Sequence, residues 1–218
     1  MNDEYIYNYK NLIENINKYK DIKNREIRLV VVSKTQNYKK IIELEKCGQK
    51  DFGENYLHEA EEKITEINNP SLIWHYIGTI QSNKIRKICS YFQWIHTVSS
   101  EKHAHKINEI CKELNKKINI CIQINIDKEK SKGGIFMEDY ETFSSSVLQM
   151  TNLKLRGIMT IPNVGGFHDD AFSKMSDLYN KYDYLDTLSM GMSNDYVTAI
   201  ENEANLLRIG QQIFGARE

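Results

Sequence analysis

Ile27-Arg28-Leu29-Val30-Val31-Val32-Ser33-Lys34 decides how the rest of the chain is read. Residues 29–32 are apolar, mostly β-branched and without polar alternation. That is the pattern of a strand buried on both faces, as in a parallel sheet covered by helices. Ser33 and Lys34 fall where the strand leaves the core, at its C-terminal end. In a barrel or an open α/β sheet that end is the working face. A lysine held there among apolar neighbours is poorly solvated, which disfavours the ammonium. The neutral amine can add to a carbonyl and form a Schiff base. Taken alone, Lys34 reads more simply as a strand end pointing into water; the remaining segments shift that balance.

Upstream, Tyr5, Tyr9, Leu12, Ile16 and Tyr19 recur at three and four residues and predict an amphipathic N-terminal helix. Downstream, a helix over about 38–47 stops at Gly48, followed by a short strand over 50–53. Leu57, Ala60, Ile64 and Ile67 mark the next helix, closed by Asn69 and Pro70. Strands are then predicted over 72–77, 94–98, 118–126, 153–160, 185–190 and 206–209. Between them fall helices over about 82–90, after the N-cap candidate Ser100, over 138–149, over 169–182 and from near Ser193. Eight strands, each followed by a helix or helical turn and preceded by one extra helix, argue for a parallel sheet. The count suits a single (β/α)8 TIM barrel over residues 1–218. A doubly wound open sheet is the alternative that periodicity alone leaves standing.

Composition narrows the function classes. The 29 Lys and Arg residues balance 30 Asp and Glu to a formal −1, with the signs interleaved and no basic block of nucleic-acid type. Cys47, Cys89, Cys111 and Cys121 form no Cys-x-x-Cys pair, and residues 1–20 are too polar for a signal sequence. No stretch approaches the roughly 18 apolar residues of a membrane span. A reduced, soluble, cytoplasmic protein is expected. The two prolines, Pro70 and Pro162, suggest no linker, and Asn and Lys are spread rather than clustered.

On a barrel, the C-terminal rim would collect Lys34, Asn55, His75, Gly78, Asn125, Met159, Met190, Ser193, Arg208 and Gly210. Gly191-Met192-Ser193-Asn194-Asp195 leaves strand seven and Arg208-Ile209-Gly210-Gln211 leaves strand eight. Barrel enzymes often bind phosphate between those two loops, at the N-terminus of a short helix. Gly191 and Gly210 would let the backbone approach closely, and Ser193 would add a hydroxyl; singly, each also reads as a turn or a cap. Arg208 lies across the pleat from Leu207 and Ile209. Inside a barrel rim it is costly unless it is paired or meets a ligand acceptor.

Pyridoxal 5′-phosphate satisfies an amine, an anion site and a buried arginine together. Its aldehyde would take Lys34, its phosphate Ser193 and the N–H groups near Gly210, and its pyridine nitrogen Arg208. An arginine does not hand its proton over, so the ring would be a weak electron sink. No metal is expected. His103 and His105 face different ways on a helix, and His75 and His96 lack a carboxylate or thiol at ligand spacing. Gly133-Gly134 and Gly165-Gly166 read as turns, Trp74 and Trp94 as core.

Val32-Ser33-Lys34-Thr35, Phe52-Gly53-Glu54-Asn55-Tyr56, Trp74-His75-Tyr76-Ile77-Gly78 and Gln81-Ser82-Asn83-Lys84 resemble the pyridoxal phosphate homeostasis protein family. So do Gly157-Ile158-Met159, Leu188-Ser189-Met190-Gly191-Met192-Ser193, Arg208-Ile209-Gly210 and Ile213-Phe214-Gly215-Ala216-Arg217. The motifs stand in family order over nearly the whole chain after about Arg25. The resemblance implies a barrel similar to the N-terminal domain of alanine racemase, of the type III fold of pyridoxal phosphate proteins. It implies the Schiff base on Lys34, phosphate at Ser193, Gly210 and Gln211, and Arg208 at the pyridine nitrogen. It also implies Asn55, His75, Met159 and Met190 along the pocket. Gln211 stands where a small hydroxyl residue is common, and Thr79-Ile80 replaces a pair usually ending in Leu.

The function so implied is to hold the cofactor, buffer it and deliver it to apoenzymes that need it, without turnover. The rival is a racemase or lyase of the same fold. A two-base racemase needs a second acid/base group, which the related racemases take from an added β domain, and this chain ends eight residues past Gly210. A Schiff-base aldolase would leave Ser193 and Arg208 unexplained unless its substrate were phosphorylated. Nothing in the sequence demands a dimer, and a monomer is expected.

Overall fold

Branched apolar runs form the strands, and the helices between them turn one apolar face inward. In the structure, a computed structural model describing residues 4–129, 132–163 and 168–216, these elements close a barrel. Its strands are β1 (Arg28–Val32), β2 (Asp51–Glu54), β3 (Ile73–Tyr76), β4 (Trp94–Val98), β5 (Ile118–Gln123), β6 (Leu153–Met159), β7 (Thr187–Ser189) and β8 (Leu206–Ile209). They are parallel in sequence order, and β8 pairs with β1 through Arg28–Leu206 to Val31–Ile209. Closure excludes the open sheet.

The outer ring is α2 (Tyr38–Lys46), α3 (Leu57–Ile67), α4 (Ile85–Tyr91), α5 (Glu101–Glu113), α6 (Tyr140–Leu148), α7 (His168–Tyr179) and α8 (Tyr196–Glu201). Ser100 caps α5 by accepting from His103 N. Among the described residues β8 is followed by one helical turn, α9 (Gln211–Phe214), and the long N-terminal helix α1 (Glu4–Lys23) packs in the ring between α9 and α2. Tyr9, Leu12 and Ile16 are its buried stripe, and Tyr5 stacks on Phe214 at 6.0 Å. The extra helix therefore covers the barrel beside the short α9.

Alternation along β1 sorts the core into two layers. Leu29 and Val31 join the main apolar cluster under the helices, together with Phe52, Ile95, Leu188 and Ile209. Val30 and Val32 point into the barrel, where they crowd Gly53 together with Ile77. Trp94, Cys121 and Met159 pack in a smaller interior cluster.

Several strands stop short of their apolar runs. Pairing on β1 ends at Val32, and Ser33 N still donates to Gly53 O (3.0 Å) before the chain turns at Lys34 and Thr35. β7 keeps three residues, and α4 starts at Ile85, three residues later than predicted. Hydropathy continues into rim loops that stay buried beyond the last residues of the strands. Gly165, Gly166 and Arg217 lie outside the described residues. Among the described residues, no helix is long and apolar enough to cross a membrane, and no group of three His, Cys, Asp or Glu side chains is placed to hold a metal ion.

Candidate functional site

A cavity of about 950 Å³ opens at the C-terminal mouth of the barrel. Of the residues expected there, Lys34, Asn55, Ser193, Arg208, Gly210 and Gln211 line it. They come from the ends of β1, β2, β7 and β8, brought together by closure. Lys34 is half-buried in the turn after β1. The next residue, Thr35, has φ +65°, a left-handed conformation unfavourable for a β-branched side chain.

The opposite wall is built by two loops that lock together. Gly191 leaves β7 at φ +93°, where a Cβ would lie 2.7 Å from that of Ala199. Asp195 Oδ1 accepts from Met192 N at 2.6 Å and ties the loop to the start of α8. Ser193 does not cap α8; its hydroxyl accepts from Gln212 N at 3.1 Å, in the first turn of α9. Gly210 precedes α9, and a Cβ on it would lie 2.7 Å from Val32 O. Only a residue without a side chain lets α9 start against β1 this closely. The Gln211 N–H, at the start of that turn, has no acceptor within the helix.

Arg208 forms the floor of the cavity. It is 4% exposed, and its Nη1 donates to Ser189 Oγ at 2.7 Å while its Nη2 donates to Thr160 O at 2.8 Å. Burial lowers its pKa to about 10, opposed by Cys121 and Asp195, so it stays cationic at neutral pH. Among the described residues no carboxylate lies within ion-pairing distance of it.

Of the residues expected on the rim, His75, Gly78, Asn125, Met159 and Met190 do not line this cavity. Met190 is in the apolar layer under the helices and Met159 in the barrel interior beside Trp94 and Cys121, because the pleat and the depth of each strand differ from a uniform rim. His75 is fully buried below the cavity, stacked on Trp94 at 5.4 Å. Nor is it without a carboxylate: Asp51 Oδ1, on the neighbouring strand, lies 2.9 Å from its Nε2. His75 Nδ1 is 2.9 Å from His96 Nε2, and His96 Nδ1 is 3.0 Å from Ser189 Oγ.

A hydrogen-bonded chain thus runs down the barrel from Arg208 to Asp51. Its direction follows from its ends once both imidazoles are taken as neutral, the form that burial favours. Arg208 only donates and Asp51, held low by its contacts with His75 and Arg28 against its own burial, only accepts. Ser189 therefore donates to His96, His96 to His75 through Nε2–H, and His75 to Asp51 through Nε2–H. Both imidazoles are neutral, in keeping with pKa values lowered chiefly by burial.

Several site groups were not singled out from the sequence. His168 and Asp195 line the cavity as a pair, Nδ1 to Oδ2 at 2.8 Å, with Asn163 O 2.9 Å from the other ring nitrogen. Asp195 stood within a loop already marked, whereas nothing in the pattern marks His168. Behind Lys34, Glu54 and Lys63 are buried together at 2.7 Å. Asn55 Oδ1 is a buried acceptor without a partner among the described residues.

The profile of the alanine racemase N-terminal domain family matches residues 7–218. The class is therefore that of alanine-racemase-like barrels. Alanine racemase of Clostridium difficile shares this fold at a TM-score of 0.74 and 18% identity, over 99% of this chain and 57% of that one. The pyridoxal phosphate homeostasis protein of Pseudomonas aeruginosa is 41% identical over 196 residues, 88% of this chain and 85% of the relative. That of Vibrio cholerae is 39% identical, covering 88% and 86%. PipY of Synechococcus elongatus, solved with pyridoxal phosphate bound, superposes with a TM-score of 0.81 at 32% identity, over 87% of this chain and 92% of that one. The chain belongs to the pyridoxal phosphate homeostasis protein family.

Proposed function

We propose that this protein binds pyridoxal 5′-phosphate through Lys34 and serves intracellular homeostasis of that cofactor, holding and releasing it without turning over a substrate. The observation that carries the reading is the convergence of Lys34, Arg208 and the Ser193–Gly210 wall on one cavity. The residues present fit the group. Asn55 offers an unused buried acceptor to a hydroxyl or N–H, and the Gln211 N–H at the start of α9 offers a donor to an anion. Bound there, pyridoxal phosphate would supply an aldehyde carbonyl, and Lys34 is the amine placed to add to it.

Each residue then has a task. Ser193 and the Gln211 N–H hold the phosphate, and Arg208 donates to the pyridine nitrogen while its remaining N–H groups stay on Ser189 and Thr160. Because Arg208 keeps its proton at neutral pH, it would offer a ring nitrogen a hydrogen bond rather than a charge, which suits retention better than carbanion chemistry. The names of the relatives support the same assignment. A reducing cytoplasmic setting belongs to this reading, supported by the free thiols of Cys47, Cys89, Cys111 and Cys121. Handover to apoenzymes is its physiological counterpart.

Visible absorbance during titration with pyridoxal phosphate tests the binding step, with borohydride trapping and peptide mass to locate the adduct. The tag is expected on Lys34 and is absent in Lys34→Ala, which keeps the wild-type circular dichroism. A tag elsewhere, or none, refutes it. Incubating the loaded protein with amino acids in deuterated water separates holder from enzyme. Sustained exchange at Cα or loss of optical activity establishes a racemase or lyase instead.

A further inference from the structure

Both neighbours of Lys34 are tied to helix α3. Lys63 Nζ donates to Ser33 O at 2.6 Å, to Glu54 Oε1 at 2.7 Å and to Glu59 Oε1 at 2.6 Å. The same Glu59 oxygen accepts from Thr35 N. Ser33 Oγ donates to Glu54 Oε1 at 2.7 Å. The carbonyl before Lys34 and the N–H after it are thus held by two side chains that are themselves ion-paired one helical turn apart.

The arrangement is a poor stabiliser. The side chains of Lys63 and Glu54 are 6% and 0% exposed, and desolvating such charges offsets most of their attraction. Glu54 Oε2 has no partner among the described residues. Meanwhile Thr35 keeps its left-handed φ of +65°, which persists only where surroundings impose it. A buried charge cluster of little net benefit, wrapped around a strained turn, is what exact placement of the intervening side chain requires.

We propose that Glu59, Lys63 and Glu54 form a positioning clamp that sets the conformation of the Ser33–Thr35 turn and thereby aims the Lys34 amine into the cavity. The clamp holds the backbone on either side of Lys34 and none of its members lines the cavity, so they are positioning residues. It rests on the reading of Lys34 as the cofactor-binding amine.

Glu59 is the member to change, because its side chain is 26% exposed and Lys63 keeps Glu54 when it is removed. The experiment compares wild type, Glu59→Ala and Glu59→Gln by the rate and midpoint of adduct formation with pyridoxal phosphate, alongside thermal unfolding. Glu59→Ala is expected to weaken and slow adduct formation about tenfold, the worth of one charge-assisted hydrogen bond. Glu59→Gln, which retains an acceptor for Thr35 N and Lys63, recovers most of that loss. Wild-type rate and midpoint in Glu59→Ala overturn the clamp, as does a loss in both variants that simply tracks their melting temperatures. Lys63→Met provides a second check, with the same loss expected in whatever fraction folds. If wild type itself forms no adduct on Lys34, it is the underlying reading that fails.

Discussion

Two histidines inside the barrel show how burial, rather than spacing, sets the chemistry of a residue. His75 and His96 are each kept neutral, His75 mainly by desolvation against the pull of Asp51. His96 is held well below the ordinary range by desolvation and by His75, Arg208 and Arg28. An unfolded imidazole titrates near 6.5. Between that value and the depressed folded one, the unfolded chain binds more protons, so stability rises with pH there. Stability is therefore expected to be level above about pH 7 and to fall as acid is added below about 6.5. Asp51 does not add to this window, since its lowered carboxyl matters only below the usual carboxylate range. Urea midpoints between pH 8 and 5 check the slope, and His96→Gln should flatten it; an unchanged slope would mean that other groups carry the effect.

At the scale of elements, the wall opposite Lys34 depends on how closely α9 can start against β1. A methyl at Gly210 meets Val32 O, a backbone atom that cannot rotate away. Gly210→Ala is expected to cost about 1–3 kcal/mol, as small-to-large changes in packed sites do. Pyridoxal phosphate binding should weaken at the same time, because the displaced turn also carries the Gln212 N–H to Ser193 hydrogen bond. Chemical denaturation and absorbance titration measure the two effects, and a variant matching wild type in both would remove Gly210 from the site. The one-turn α9 is also why α1 matters. Its apolar stripe was legible from spacing, but its place in the ring was not, since nothing local says that the eighth helix is short.

For the whole molecule, closure has a consequence for association. A barrel in which β8 pairs with β1 presents no open sheet edge, so strand addition offers no route to a dimer. The protein is proposed to be a monomer, and sedimentation should give the mass of one 218-residue chain with and without pyridoxal phosphate. A mass of two chains would point to a helix-side interface and would sink this proposal.

Strand number and much of the rim were written into local pattern, whereas strand order was decided only when β8 paired with β1. Apolar runs at regular intervals specify buried parallel strands, and Lys34, Ser193, Arg208 and Gly210 stood out because each departs from what its run needs. The partners of these residues were not local. Asp51 and His75 meet only through the β2–β3 register, which sets Gly53 beside His75. Glu59 and Lys63 are four residues apart, which in sequence reads as an ordinary surface pair. Only the packing of α3 on the ends of β1 and β2 buries Lys63 behind Lys34 and sets Glu59 against Thr35. Periodicity records which face of an element avoids water, whereas depth along the barrel axis and contacts across strands arise when the sheet closes.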